Sequence, residues 1–276
     1  MNTLSVSVPP GMEPLFMDAE KYTQEYFRNR IEKPGEGTIE ISGERYILVR
    51  AASMSVEFFD LVEGLYHGDQ PDEVHRLTAN FLFDFAHANG KADALHFHQL
   101  TGASDPIQKL SFGPTHFAHR GWAFVDIDPA SRPLPNENFM LIYNHPYSFE
   151  ADAWQRRSRR AKLPVCSMNA GYSSGWCEES FGIPLVATEI ACRAMGDENC
   201  RFIMAPPWRM EEHLARLGVA TVKAGGKADV AEFFQRKRLE EKLARKERHI
   251  EMISHRLSEQ DEEIRRLREE LAAARR

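Results

Sequence analysis

The sequence predicts an α+β protein, an antiparallel sheet with packed helices followed by a C-terminal coiled-coil helix. Three observations carry this. Strand-like alternation occurs in separate stretches, at Thr38 to Arg50 and again between Ile183 and Ala205. Helix-spaced apolar residues lie between those stretches, at Ser53 to Leu65 and Pro71 to Ala88. Strands and helices therefore intermix without the regular strand–helix repeat of a doubly wound fold. Beyond Leu239 the apolar spacing changes to heptads.

Taken in order, residues 1–30 form a Pro-containing N-terminal segment. The run TIEISGERYILVR breaks at Ser42-Gly43 and reads as a hairpin with Ile39, Ile41, Tyr46 and Leu48 partly buried. Two helices follow, the second with Asp72 and Glu73 in its first turn, where the helix dipole favours acids. Gly121 to Asp128 and Asn138 to Tyr143 read as strands joined by a Pro-rich loop, and Val165 to Ser180 as a Gly-interrupted helix. Ile183 to Cys192 and Cys200 to Ala205 form a second hairpin across Met195-Gly196-Asp197-Glu198-Asn199. The globular domain, residues 31–207, is expected to close at Pro206-Pro207. A connecting helix and linker, 208–230, and a coiled coil, 231–276, follow it.

In the last segment Leu239, Leu243, Ile250, Ile253, Leu257, Ile264, Leu267 and Leu271 fall on alternating three- and four-residue steps. That is the a/d stripe of a coiled coil. Such a narrow apolar stripe needs a partner helix to bury it, so a homodimer is expected. Lys246 and Gln260 interrupt the d positions, which lowers stability and helps to set register.

Composition narrows the function. The 276 residues carry a net charge of only −6, and Lys and Arg concentrate near the C-terminus together with Glu. No unpaired basic face for nucleic-acid phosphates is visible, and no apolar run suits a membrane span or a secretory leader. The expectation is a cytoplasmic protein without direct nucleic-acid or membrane contact. In a reducing compartment the four cysteines, Cys166, Cys177, Cys192 and Cys200, read as metal ligands, reactive thiols or packed core rather than disulfides. Thiolates and a carboxylate can fill a tetrahedral zinc shell, and a hairpin bearing Cys192 and Cys200 would bring both sulfurs to one end of a sheet.

The runs Gly171-Tyr172-Ser173-Ser174-Gly175, Glu189-Ile190-Ala191-Cys192 and Gly196-Asp197-Glu198-Asn199-Cys200-Arg201-Phe202 resemble the 4-vinyl reductase domain. Upstream, Arg45-Tyr46-Ile47-Leu48, Gly113-Pro114-Thr115-His116 and Tyr147-Ser148-Phe149-Glu150-Ala151 are similar to the N-terminal sensor region of the phenol- and xylene-responsive activators. The resemblance implies a structural zinc held by Cys166, Glu189, Cys192 and Cys200, with Cys177 outside the ligand set. It also implies a buried pocket for a small apolar or aromatic ligand, with His116 matching the family histidine. Tyr143 stands where the family has a tryptophan, with Leu141, Tyr172 and Trp176 nearby.

Those activators continue into an ATPase and a helix-turn-helix, yet no GxxxxGK[ST] loop or recognition-helix pattern occurs here. The expected role is thus a dimeric, non-enzymatic sensor that passes its ligand state along the coiled coil to a separate or downstream output. A scaffold module and an enzyme accessory are the competing readings.

Overall fold

A computed structural model describes residues 5–66 and 71–218 and, nearer the C-terminus, positions 246, 250, 252–258, 260, 262, 264–266 and 268. The chain divides into two compact units, Met1–Lys227 and Ala228–Arg276. The first is an α+β unit with helices packed on a sheet. Its elements run β1 (Val6–Ser7), α1 (Glu13–Arg28), β2 (Arg30–Lys33), β3 (Thr38–Ile41), β4 (Glu44–Tyr46), α2 (Val56–Leu65), α3 (Pro71–Thr101), α4 (Pro106–His119) and β5 (Ala123–Ile127). They continue through β6 (Leu141–Ser148), α5 (Phe149–Arg156), α6 (Ser167–Phe181), β7 (Val186–Ala191), β8 (Cys200–Ala205) and α7 (Met210–Arg216).

The main sheet has the order β1-β5-β6-β8-β7. Only the short β1 is parallel to its neighbour; the other pairings are antiparallel. Side chains on a strand alternate between the two faces. Along β6, Leu141, Tyr143 and His145 therefore share one face, opposite Met204, Phe202 and Cys200 of β8. All six belong to or border the main core beneath α6. Ile142, Ile203 and Ala205 point the other way and pack against Met210 and Leu214 of α7.

Buried helix α6 lies directly on α3, and three glycines make this possible. A β-carbon at Gly171 would sit 2.2 Å from the Phe83 carbonyl oxygen, one at Gly175 2.1 Å from that of His87, and one at Gly90 2.2 Å from that of Tyr172. At the N-terminus of α6 the buried Glu150 carboxylate accepts hydrogen bonds from the amides of Met168 and Asn169, each at 2.9 Å. These are amides that a helix leaves unpaired in its first turn. At the other end Gly182 terminates α6 at φ 68°.

The structure adds elements that the sequence pattern does not reveal. Residues 13–28 form α1, which packs Phe16, Ala19, Thr23 and Tyr26 inward. Residues 106–119 form α4 despite Gly113-Pro114, started by Asp105 accepting from the amides of Ile107 and Gln108 at 2.9 Å. The first hairpin is shorter than expected. It ends at Tyr46, and because β4 is an edge of the three-stranded sheet β2-β3-β4, the chain beyond finds no strand partner. Leu48, expected partly buried, is 76% exposed.

The strand expected over 138–143 instead runs over 141–148, through Pro146. Proline lacks an amide to donate, and Pro146 falls where the β5–β6 register shifts and beyond the last β8 pairing at His145.

Among the described residues of the second unit all are helical, and Ile250, Ile253, Leu257 and Ile264 are largely exposed. Leu239, Leu243, Leu267 and Leu271, expected in the same seam, lie outside the described residues, as does most of the 208–230 linker.

Candidate functional site

Between α4, α6 and the adjoining face of β5 and β6 lies a cavity of about 40 Å³, counted as the space open to the centre of a water-sized sphere. That is about three times the ~10–15 Å³ one water requires. Leu110, Gly113, Pro114 and Phe117 of α4 form one wall, and Tyr172, Ser173, Trp176 and Cys177 of α6 another. Val125 and Ile127 of β5 and Leu141, Tyr143 and His145 of β6 form the floor. The wall needs Gly113, since a β-carbon there would lie 2.9 Å from the Trp176 indole.

The structure thus brings four of the five expected pocket residues together: Leu141, Tyr143, Tyr172 and Trp176. His116 is not among the lining residues. One position along α4 turns its side chain away from the cavity side that Phe117 occupies, and it sits instead among Tyr26, Phe27, Phe97 and Trp176. Its Nδ1 lies 3.0 Å from the Tyr172 hydroxyl, which in turn lies 2.9 Å from Asp93 Oδ2. With the Tyr172 proton directed at the Asp93 carboxylate, Nδ1–H of His116 is the donor to the phenolic oxygen. Burial, reinforced by the nearby Arg120, pushes the His116 pKa well below its ordinary value, so the ring is neutral. Arg120 also pairs with Asp93 and lies over the rings of Tyr46, Trp122 and Tyr172. Tyr172 accordingly has its ring on the cavity and its hydroxyl in a buried polar network behind it.

Sequence reasoning passed over His145, the histidine that does line the cavity. It is fully buried, and neither ring nitrogen has a hydrogen-bond partner. Burial alone lowers its pKa to about 3, which leaves a neutral imidazole. The available signal was alternation: His145 is two residues from Tyr143 and four from Leu141 on one strand. The Tyr143 hydroxyl is 2.6 Å from Ser173 Oγ, and Trp176 Nε1 donates to the Lys109 carbonyl at 3.0 Å.

At the end of the same sheet face, one ligand atom from each of Cys166, Glu189, Cys192 and Cys200 lies within 4.8 Å of the other three. The β7–β8 hairpin brings Glu189, Cys192 and Cys200 together, and the segment leading into α6 adds Cys166. Cys166 and Cys200 Sγ are 3.5 Å apart. The Cys166 amide holds Glu189 Oε2 at 2.9 Å, while Glu189 Oε1 is buried without a partner. Burial drives the Cys166 thiol and the Glu189 carboxyl far above their ordinary pKa values, whereas hydrogen bonds from the Cys166 and Cys200 thiols pull Cys192 down. Three buried thiols and a carboxylate oxygen with nothing to accept from suit a cation, whose charge favours the deprotonated form of each donor. The cluster can bind a metal ion. Cys177 is elsewhere, in the cavity wall. Cavity and cluster adjoin, because His145 faces Cys200 directly across the β6–β8 pair.

Comparison with known proteins agrees with this layout. Residues 148–206 match the 4-vinyl reductase domain. The chain is 26% identical over 141 residues to the phenol regulator MopR of Acinetobacter guillouiae, an alignment covering 50% of this chain and 25% of that protein. It is 24% identical over 123 residues to the transcriptional regulatory protein XylR of Pseudomonas putida, covering 45% and 22%. The matches thus span about a quarter of the length of these relatives. Among solved structures, the phenol-responsive sensory domain of the transcription activator PoxR, with phenol, superposes at a TM-score of 0.59 and 20% identity. That likeness covers 77% of this chain and 98% of the PoxR domain. The fold is therefore that of the sensory domain, and the sequence is homologous to regulators of this kind.

Proposed function

We propose that the first unit is the ligand-sensing domain of a transcription-regulatory system and that it recognises a compact, largely apolar molecule. The observation carrying this is the enclosed cavity between α4, α6 and β5–β6, in a fold shared with a sensory domain that binds phenol. Apolar walls with a few placed polar groups are the usual form of a small-molecule site. The size favours a single ring or a similarly compact body. Similarity to regulators rather than to enzymes supports a binding role without turnover.

Cys166, Glu189, Cys192 and Cys200 would hold a zinc ion in this reading, and four protein donors leave no open position for substrate. A zinc there would lock the β7–β8 hairpin to the start of α6. Ligand entry displaces the β6 floor or α6; the strand pair β6–β8 carries that movement to its other face, where Ile142 and Ile203 meet α7. From α7 the chain continues toward the helical second unit, which is proposed to form a coiled-coil homodimer and act on a separate or downstream output.

The test is thermal denaturation of the full chain against a panel of single-ring compounds. A binder at 100 times its Kd stabilises the native state by about 2.7 kcal/mol. The shift should vanish in Leu110→Phe, which puts ring atoms into the cavity. Failure of every compact apolar compound to stabilise the wild-type chain would sink the sensor reading and favour a scaffold.

A further inference from the structure

The cavity contains one polar ring that the fold itself does not satisfy. His145 is fully buried, lines the cavity, and has both nitrogens without a partner. Its neighbours are the rings of Phe117, Tyr143 and Phe202, with centroids 5.6, 5.2 and 4.7 Å away. Other polar wall groups are already engaged: the Tyr143 hydroxyl with Ser173, the Tyr172 hydroxyl with Asp93 and His116, and the Trp176 indole with Lys109.

A neutral imidazole presents one N–H donor and one lone-pair acceptor, and burying either unpaired is unfavourable. Phenylalanine would fill nearly the same volume among these rings without that penalty. The position of His145 on the cavity face, opposite a tightly packed β8, gives it no route to solvent. A partner for the imidazole must arrive in the cavity.

Resting on the sensor reading above, we infer that His145 is the specificity-determining residue of the cavity, selecting a compact apolar ligand that carries one neutral hydroxyl group. A hydroxyl both donates and accepts, so it pairs with whichever ring nitrogen it reaches, in either tautomer. A hydrocarbon of the same shape leaves the imidazole unpaired. A carboxylate brings a full charge into a wall in which no Lys or Arg takes part. Tyr143 and Cys177 flank the site as weaker alternatives, one already bonded to Ser173 and the other a poor hydrogen-bonding group.

The experiment is calorimetric titration of the full-length wild type, His145→Phe and His145→Gln with phenol, toluene and benzoate, probes that share a ring and differ in one substituent. Wild type should prefer phenol to toluene by ~10-fold or more, the size of one buried hydrogen bond, and bind benzoate weakest. In His145→Phe the phenol-to-toluene ratio should fall to near one, while His145→Gln, which keeps a donor and an acceptor, should retain a preference for phenol. Unchanged metal content and melting temperature establish that each variant is folded. Equal binding of phenol and toluene by the wild type overturns the role of His145 even if neither variant folds, and so does a ratio unaltered in His145→Phe. Both results leave the sensor reading standing, because the ring still binds. Absence of binding by all three probes to the wild type overturns the two together.

Discussion

Cys192 and Cys177 are both buried thiols on neighbouring parts of the same domain, yet they should respond oppositely to the same small change. Cys192 contributes to a four-donor cluster whose ligand atoms converge within 4.8 Å, and binding of a metal by such a cluster adds directly to folding free energy. Cys192→Ser should release the ion and destabilise the domain by ~3 kcal/mol or more, seen as loss of one metal equivalent by mass spectrometry and a lower melting temperature. Cys177 lies in the cavity wall, so Cys177→Ser should keep the full metal complement. Retention of metal by Cys192→Ser would remove the cluster from the argument. At this scale the cluster was readable because cysteine is otherwise absent from the chain, so its spacing stood out. The pocket was less readable. His116 and Phe117 are consecutive on one helix, and which of the two faces the cavity depends on the helix's rotation about its axis, which residue types alone do not disclose. Tyr143 and His145 share a strand face, and the second was overlooked because nothing in the sequence marks a histidine as unpartnered.

At the scale of elements, the Gly171–Gly175 pair in the GYSSG run has a packing role independent of any ligand. Both residues let the backbone of α6 rest against carbonyls of α3. Gly171→Ala and Gly175→Ala each force a β-carbon into a contact that rigid backbone cannot relieve, and should cost ~3 kcal/mol. Gly64, exposed in α2 with open space around its would-be β-carbon, is the control. Gly64→Ala should be neutral or stabilising by ~0.5 kcal/mol, since alanine is the better helix former. Urea denaturation of the three variants distinguishes close packing from loss of glycine flexibility, which would give all three the same sign. The same physics explains which elements were legible. The hairpins and α2, α3 and α6 show periods of two or 3.6 residues with conventional polarity. Helix α1 was hidden because Glu20 and Thr23 occupy its buried side, where Glu20 bonds Ser5 and His119 and Thr23 bonds Thr115. Helix α4 was hidden by Gly113-Pro114, two residues that normally end helices and that here shape a cavity wall.

For the molecule as a whole, the second unit presents an apolar stripe that its own helix has no means of covering. Ile250, Ile253, Leu257 and Ile264 are 61, 43, 55 and 46% exposed, and they follow the three- and four-residue steps of a heptad seam. In water such a stripe favours association, and alternating acidic and basic neighbours keep the outer faces soluble. The proposed homodimer should therefore depend on this seam and not on the sensing unit. Ile253→Lys with Leu257→Lys puts two charges on each helix where they would meet in the seam, so native mass spectrometry should show a dimeric wild type and a monomeric double variant. Metal content and ligand-induced stabilisation should be the same in both proteins, because neither residue belongs to the unit that carries the cavity and the cluster. A double variant that remained dimeric would move the interface away from this helix. If it became monomeric and also lost ligand binding, the cavity would have to be formed or stabilised by dimerisation, and the sensor would be the pair rather than the single chain.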